Sequence, residues 1–119
     1  MKVAVIGASD KPDRYSYKAL MLLKEKGHEV YPIHQRIQKI EGMNVFPSIK
    51  DIVEPVDTVS LYVASDISDT LADEIIAKHP RRIIFNPGAE NSSLEQKART
   101  NGIAPINACT LVMLNTNQF

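Results

Sequence analysis

The segment after the first apolar run has the residue types of a turn that binds phosphate. The apolar run ends before Gly7, Ala8 and Ser9. A glycine lets the chain leave a strand sharply and brings backbone N–H groups close to an anion. The two small residues that follow leave this approach open. The pattern lacks the second and third glycines of the dinucleotide-binding fingerprint G-x-G-x-x-G, so a strand–helix turn without a ligand stays an alternative.

Basic and hydroxyl side chains follow this turn at positions from which they could reach the same anion. They are Lys11, Arg14 and Ser16. The helix predicted to follow adds a partial positive charge at its N-terminus, which stabilises an exposed anion by about 0.3–1 kcal/mol. We therefore expect a phosphate group between the first strand and the first helix.

The end of the second predicted strand indicates which phosphate-bearing molecule fits. An NAD site usually has a carboxylate there, which accepts a hydrogen bond from the ribose 2′-hydroxyl. This chain has Pro32, His34 and Arg36 in that stretch, whereas Glu29 lies at the opposite end of the strand. Basic side chains favour an extra phosphate on the ribose, which NADP and coenzyme A (CoA) both carry. A solvated loop without a ligand is the alternative.

Neither a catalytic group nor a metal site is predicted. His28 begins a strand, and His79 ends a helix beside Pro80. No two histidines have metal-ligand spacing with a carboxylate or a thiol. The acidic residues between Asp66 and Glu74 have the pattern of a solvated helix face. The sequence contains no G-x-S-x-G elbow and no P-loop.

Length, charge and cysteine content restrict the class of protein. With 119 residues, of which 44% are hydrophobic, the chain can form a single domain, 1–119. Its 14 basic and 14 acidic residues cancel, which disfavours nucleic acid as a partner. The one cysteine, Cys109, allows no internal disulfide and fits a reducing compartment. The apolar run Val3–Ile6 is too short for a signal peptide or a membrane span, so we expect a soluble cytoplasmic protein with no membrane partner.

Strand and helix patterns alternate along the chain and predict the scaffold that positions these residues. The first run is continuously apolar, as expected for a strand covered on both faces. Residues 35–44 form a polar segment with one turn at most, and 110–119 give no clear prediction. The predicted strands are 2–6, 28–33, 57–64, 81–86 and 103–107, and the predicted helices are 13–26, 66–79 and 92–100, with a short helix at the end of 45–52.

Three predicted helix starts carry capping signatures. Ser48 and Asp51 are spaced as a capping pair, and Ser92 and Glu95 form an S-x-x-E box. Asp66 is expected to cap the helix that it begins.

The alternation of five strands with helices predicts a Rossmann-like three-layer α/β domain. Its sheet would be parallel, with about five strands and right-handed crossovers. In such folds the ligand lies beyond the carboxyl ends of the strands, where the strand order reverses. We therefore expect the ligand near residues 7–9, 32–36, 63–66 and 86–90.

Four segments together resemble a known family. They are GAS at 7–9, RYSY at 14–17, GHEVYPI at 27–33 and NPG at 86–88. In this order and spacing the chain resembles the small stand-alone CoA-binding proteins of the YccU-like family. Those proteins are similar to the CoA-binding domain of the succinyl-CoA synthetase alpha subunit. The resemblance extends from Lys2 to about Cys109.

The resemblance implies that CoA binds across the strand ends. The diphosphate would lie on the turn that begins at Gly7 and includes Lys11, near Arg14 and Ser16 at the start of the first helix. The loop after the second strand, where His34 stands, would face the adenosine 3′-phosphate.

The resemblance also assigns the remainder of the ligand. Val63 and Ala64 would flank the adenine or the pantetheine arm, and Pro87 and Gly88 would let the arm pass close to the backbone. Three stretches depart from the family pattern, and one of them is the tail after Cys109. Residues 33–35 are Ile-His-Gln where the family usually has Asn-Pro-Lys, and histidine is a weaker cation than lysine near neutral pH. Asn86 stands where the family tends to have glutamine.

The leading hypothesis is a non-catalytic CoA- or acyl-CoA-binding protein that serves as a sensor, a carrier or a partner of an acyl-CoA enzyme. A small NADP-linked oxidoreductase subunit is one alternative, and a Rossmann-like interaction protein that has lost its ligand is another. Cys109 is expected to be a small buried side chain. The sharper alternative is an exposed thiol that forms a mixed disulfide with CoA. A homodimer would suit so small a domain.

Overall fold

A parallel five-stranded sheet forms the centre of the computed structural model, which describes every residue from Met1 to Phe119. The strands of the chain are β1 (Lys2–Ile6), β2 (Glu29–Ile33), β3 (Lys39–Ile40), β4 (Met43–Asn44), β5 (Thr58–Leu61), β6 (Arg82–Phe85) and β7 (Ala104–Asn107). The sheet order is β2-β1-β5-β6-β7, and its four neighbouring pairs are all parallel. This topology confirms the predicted Rossmann-like fold.

Helices cover both faces of this sheet. They are α1 (Tyr15–Glu25), α2 (Ser65–Ala77), α3 (Ser92–Thr100) and α4 (Thr110–Asn115). Successive residues of a strand point to opposite faces. Val3 and Val5 of β1 are accordingly buried in the apolar cluster that includes α1 and α4, whereas Ala4 and Ile6 are buried in the cluster that includes α2 and α3. The result is three layers, and none of the helices has both the length and the hydropathy needed to cross a bilayer.

Both prolines of the sheet lie on its edge strands. Pro32 of β2 stands opposite Val5, and Pro105 of β7 stands opposite Ile83. Proline lacks the N–H group that a central strand requires, so edge positions tolerate it. The outer side of β2 is partly paired, because the N–H of Phe46 donates to the carbonyl of Pro32 at 2.9 Å.

Residues 39–44 form a β-hairpin, where the sequence predicted a polar segment with one turn at most. Ile40 pairs with Met43 in the antiparallel register. Glu41 and Gly42 have φ angles of 48° and 79°, as the two central residues of a type I′ hairpin turn require. Ile40 is 1% exposed and packs with residues of α1. A single buried side chain creates no periodic pattern, which is why the hairpin escaped prediction.

The helix starts differ in part from the predicted capping residues. Ser48 caps a short 3-10 turn at Ile49–Asp51, because its Oγ accepts from the N–H of Lys50 at 3.2 Å. This confirms Ser48 as a cap. Asp66 does not cap α2, whose N-cap residue is Ala64 with extended backbone, and Asp66 lies in the first helical turn. α1 begins later than predicted, and β5 ends earlier because the chain already turns toward α2.

The start of α3 is capped by Asn91, not by Ser92. The Oδ1 atom of Asn91 accepts from the N–H of Leu94 at 3.0 Å. Its Nδ2 donates to Ser68 Oγ at 2.7 Å and to Asp69 Oδ1 at 2.9 Å. These bonds join the start of α3 to the start of α2. Asparagine can make them while it caps α3, because its amide both accepts and donates hydrogen bonds.

Candidate functional site

The strand order reverses between β1 and β5. The chain leaves β1 toward β2 on one side of the sheet and later returns to β5 on the other side. Loops that diverge in this way leave a crevice at the carboxyl edge of the sheet. Gly7 follows β1, and Val63 lies between β5 and α2. Two of the predicted site residues therefore flank the crevice.

Gly7 has a backbone requirement of its own. Its φ angle is +88°, and a Cβ atom added there would lie 2.9 Å from Cγ1 of Val63 and 3.3 Å from the carbonyl carbon of Tyr62. L-residues rarely adopt this φ angle, and the added atom would press against Tyr62 and Val63, which follow β5. Glycine is thus needed at position 7 whether or not a ligand binds.

The first two N–H groups of the turn are bonded within the protein. The N–H groups of Gly7 and Ala8 both donate to the carbonyl oxygen of Ile33, each at 3.2 Å. The sequence predicted that these groups face an anion. The donors that are open to an anion lie farther along the loop.

The N-terminus of α1 supplies such donors. Its N-cap residue, Arg14, makes no side-chain capping bond, and the first turn contains no acidic residue. The first N–H groups of a helix have no partner inside it, and their partial positive charge attracts anions. Lys11 and Arg14 are exposed and belong to none of the four ion pairs. Ser16 is only 5% exposed, and Ser9 Oγ accepts from the N–H of Lys11 at 3.1 Å.

The start of α2 also lacks a capping side chain. Ala64, its N-cap residue, has extended backbone, and no side chain caps the helix. α3 differs, because Asn91 caps it. Two helices that begin at the carboxyl edge, α1 and α2, thus present uncapped N-termini there.

A cleft of about 490 Å³ lies between the loop after β2 and the adjoining face of α2. Its apolar lining consists of aliphatic side chains from the ends of β1 and β2, the 3-10 turn and α2. A planar or extended group can pack against such a surface, and the polar residues of the rim can orient it. The aliphatic residues are Ile6, Ile33, Ile49, Val63, Ile67 and Leu71.

The charged groups of the cleft lie on opposite walls. Arg36, on the loop after β2, is the one lysine or arginine among the 14 lining residues. Asp66 and Glu74 lie on the α2 wall. Glu74 is 3.9 Å from the ammonium of Lys50, whereas Arg36 takes part in no ion pair. An anionic group in the cleft would therefore bind at the loop wall.

The imidazole of His34 is bonded to the backbone of its own loop. Its Nδ1 atom accepts hydrogen bonds from the backbone N–H groups of Arg36 at 3.0 Å and Ile37 at 3.1 Å. An imidazole nitrogen that accepts carries no proton, so the ring proton is on Nε2. In this geometry the imidazole of His34 shapes the loop.

The NPG turn lies at the same edge of the sheet but outside the cleft lining. Pro87 and Gly88 are exposed, and the N–H of Gly88 donates to Glu90 Oε1 at 2.9 Å. Asn86 is 1% exposed. Its Oδ1 accepts from the N–H of Thr110 at 2.8 Å, so the first residue of this turn fastens the start of α4.

The network around Asn86 is buried and polar. Its Nδ2 donates to Ser60 Oγ at 3.0 Å, and Ser60 Oγ lies 2.8 Å from Thr110 Oγ1. The hydroxyl of Tyr62 is buried without a hydrogen-bond partner, and burial raises the pKa of Tyr62. Cys109, expected to be buried, is partly exposed at the N-cap of α4.

Three of the predicted site residues come together in the cleft, namely Gly7, His34 and Val63. Lys11 and Arg14 lie at the start of α1, and Pro32 is buried in β2. The NPG turn lies at the same edge of the sheet, outside the cleft. The predicted residues that do not line the cleft are Ala8, Ser9, Lys11, Arg14, Ser16, Pro32, Ala64, Pro87 and Gly88.

The α2 wall is the part of the cleft that sequence reasoning missed. Glu74 was assigned to a solvated face, and the structure places it in the cleft lining. The signal was the spacing of Ile67 and Leu71, which lie four residues apart on one face of α2.

The parallel sheet, its switch-point crevice and the uncapped helices beside it define a Rossmann-like α/β domain with a cleft at the carboxyl edge. The profile of the family described as CoA binding domain matches residues 1–115. The chain belongs to this family, which confirms the resemblance to the YccU-like proteins.

Relatives of the chain include short proteins and segments of much longer ones. YneT of Bacillus subtilis (strain 168) is 28% identical over 103 residues, which cover 83% of this chain and 76% of YneT. Subunit alpha of the ADP-forming acetate–CoA ligase II of Pyrococcus furiosus is 37% identical over 62 residues, which cover 51% of this chain and 14% of that subunit. One crystal structure at 37% identity superimposes with a TM-score of 0.94 over 99% of this chain and 97% of the other.

Proposed function

We propose that this chain binds CoA or acyl-CoA at the carboxyl edge of its sheet, in a role that does not include catalysis. The observation that carries the proposal is the uncapped start of α1, with Lys11 and Arg14 exposed and in no ion pair there. Membership of the CoA binding domain family supports CoA as the ligand. The similarity to a subunit of an acetate–CoA ligase supports the same ligand.

We place the diphosphate over residues 9–11 and the first turn of α1. Because the N–H groups of Gly7 and Ala8 are engaged by Ile33, the binding free energy would come from the N–H groups of that turn together with Lys11 and Arg14. Charge-assisted hydrogen bonds of this kind are stronger than neutral ones.

We place the adenine or the pantetheine arm along the apolar wall that includes Val63 and adjoins Ala64. The arm would leave past Pro87 and Gly88, which are exposed at the same edge. Two polar groups of the cleft are already engaged: the Nδ1 of His34 accepts from backbone donors, and Glu74 lies 3.9 Å from the ammonium of Lys50. Holding a ligand suits this arrangement better than transferring a proton, so a sensor, a carrier or a partner of an acyl-CoA enzyme is the role that we propose.

A thermal-shift panel with CoA, acetyl-CoA, NADP, NAD and ATP tests this function. A ligand present at 100 times its dissociation constant stabilises the fold by about 2.7 kcal/mol. We expect CoA and acetyl-CoA to raise Tm, and NAD and ATP to have a much smaller effect. A shift with NADP and none with CoA would instead identify a nicotinamide-linked protein. No shift with any of the five would favour an interaction protein that has lost its ligand.

Two further predictions stay proposals. A cytoplasmic location is consistent with a chain that has one free cysteine, because reducing compartments keep thiols free. A homodimer can be tested by sedimentation velocity, with and without CoA.

A further inference from the structure

The end of α3 is closed by a backbone motif that favours glycine. Gly102 follows the C-cap residue Asn101 and has a φ angle of +73°. Its N–H donates to the carbonyl of Arg99 at 3.1 Å, and the N–H of Ile103 donates to the carbonyl of Ala98 at 2.8 Å. These two bonds define a Schellman cap, in which glycine is the usual residue at the left-handed position. The cap therefore contains an Asn-Gly pair, and it is the one such pair in the chain.

The side chain of Asn101 is accessible at this helix end. Asn101 and Gly102 are both exposed, and nothing lies within 4 Å of the position that a Cβ atom on Gly102 would occupy. The Nδ2 atom of Asn101 donates to the carbonyl of Lys97 at 2.8 Å, and this bond is exposed as well. Because Thr100 is also exposed, the last turn opens at a small cost in free energy, as helix ends do. Opening frees the Gly102 nitrogen from Arg99 and lets it reach Cγ of the Asn101 side chain.

We propose that Asn101 is a site of spontaneous covalent modification, with the backbone nitrogen of Gly102 as the nucleophile and water as the second reactant. The nitrogen loses its proton and forms a bond to Cγ of Asn101. The bond from Cγ to Nδ2 breaks, and Nδ2 takes up that proton and leaves as ammonia. Water then opens the cyclic succinimide at one of its two carbonyl groups, which yields aspartate or isoaspartate. No oxidant or reductant takes part, and the inference does not depend on the proposed function.

The isoaspartate product changes the backbone beside a packed junction. In this product the main chain passes through Cβ and Cγ, so one methylene group is added between Asn101 and Gly102. Ile103 is only 3% exposed, and β7 begins directly after it at Ala104. The added length therefore breaks the Schellman bonds or displaces Ile103 from the core. The aspartate product leaves the main chain unaltered and adds a negative charge at the C-terminus of the helix, where an exposed anion is only weakly disfavoured.

Peptide mass spectrometry of the native protein, incubated at neutral pH and physiological temperature, tests the site. Conversion replaces an amide NH2 by OH, and electron-transfer fragmentation distinguishes aspartate from isoaspartate. The chain supplies matched controls, because its other exposed asparagines are each followed by a residue with a side chain. They are Asn44, Asn107, Asn115 and Asn117. We expect the converted fraction at Asn101 to exceed the fraction at each of these positions. Equal conversion at all of them, or none at Asn101, would overturn the proposal.

The variant G102N tests the nucleophile. Asparagine also occurs at the left-handed position of helix caps, and its Cβ atom has room here. Its side chain hinders the attacking nitrogen, so conversion at Asn101 should slow. The comparison is repeated in concentrated guanidinium chloride, where effects on folding are removed, and G102N should again be slower than the unsubstituted chain. Equal rates of the two unfolded chains would overturn the role of Gly102. The unsubstituted chain should react faster unfolded than native, and equal rates in those two states would contradict the need for the cap to open.

The stability of the modified protein tests the effect on the backbone. Anion exchange isolates the modified fraction, and mass spectrometry identifies its isoaspartate form. N101D is the matched control, because it has the same added charge and an unaltered main chain. We expect the isoaspartate form to unfold at a lower urea concentration than N101D. Equal midpoints would show that the junction between α3 and β7 accommodates the added methylene group, which would overturn this part of the inference.

Discussion

Gly7 and Val63 approach each other so closely that a Cβ atom on Gly7 would stand 2.9 Å from Cγ1 of Val63. Gly7 ends β1, and Val63 leads from β5 into α2. Their contact joins the two strands between which the strand order reverses, and both residues line the cleft. The absence of a side chain at position 7 therefore lets the turn after β1 pack closely against Tyr62 and Val63 at the candidate site.

Substitution of Gly7 by alanine should destabilise the fold through both strain and crowding. Gly88 has a similar φ angle, +90°, but nothing lies within 4 Å of the Cβ position. G88A thus measures the strain alone. We expect G7A to lower the free energy of unfolding by about 1–3 kcal/mol more than G88A, as measured by urea denaturation without ligand. Equal losses in the two variants would show that β5 can move away from the added methyl group.

Replacement of Asn86 by alanine should loosen α4. The substitution leaves the N–H of Thr110 and the hydroxyl of Ser60 without their amide partner in a buried site, and such groups are costly to leave unpaired. We expect a loss of about 2–4 kcal/mol in the free energy of unfolding. N101A is the control, because the Nδ2 of Asn101 bonds only the carbonyl of Lys97 at an exposed helix end. A loss no larger than that of N101A would contradict a role for Asn86 in holding α4.

Removal of the two cations at the start of α1 should weaken CoA binding. We expect the double variant K11Q/R14Q to bind CoA about tenfold less tightly in low salt, with a smaller difference in high salt because exposed charges are screened. The control K24Q/K26Q removes the same charge at the other end of the helix and should bind as the unsubstituted protein does. Equal weakening in both double variants would mean that net charge attracts the ligand without a localised site.

The stability of the fold should fall in mildly acidic solution because of His28. Burial, followed by the charges of the Met1 amine and Arg82, lowers the pKa of His28 from 6.5. The Met1 nitrogen lies 3.0 Å from Nδ1 of His28. The unfolded chain binds the proton more readily than the folded one, so stability is fully present above 6.5 and declines as the pH falls from there toward the lowered pKa.

This prediction is checked by urea denaturation at about pH 7.5 and about pH 5.5. H28Q should reduce the difference between the two values, because glutamine does not titrate. H79Q is the control at an exposed position and should leave the difference as it was. A pH dependence that persists unchanged in H28Q would assign it to another group.

Much of the scaffold was predictable from local patterns. The apolar run of β1 and the glycine after it identify a buried parallel strand and its turn, since both features depend on neighbouring residues alone. Ser48 was a correct cap for the same reason. The hairpin at 39–44 was missed, because its burial depends on one side chain, Ile40, packing against a distant helix.

The candidate site was predictable only in outline. Residue types indicated a phosphate near Gly7 and a basic loop near His34. The conformational freedom of glycine and the positive charge of lysine and arginine do not depend on the fold. Sequence reasoning had no means of foreseeing that Ile33 engages the N–H groups of Gly7 and Ala8. It also did not show that the ring of His34 accepts two backbone bonds and leaves Arg36 as the cation of the cleft.

The amino-acid order alone thus determined the alternation of strands and helices, the sharp exit from β1 and the chemistry available at the strand ends. Hydrogen bonds and packing between residues far apart in the chain decided which donors stay open, which face of α2 forms a wall and how α4 is held by Asn86. The physical reason is the separation of the interacting residues along the chain. Periodicity and turn chemistry depend on residues a few positions apart, whereas a binding site is formed by distant segments that only the folded sheet brings together.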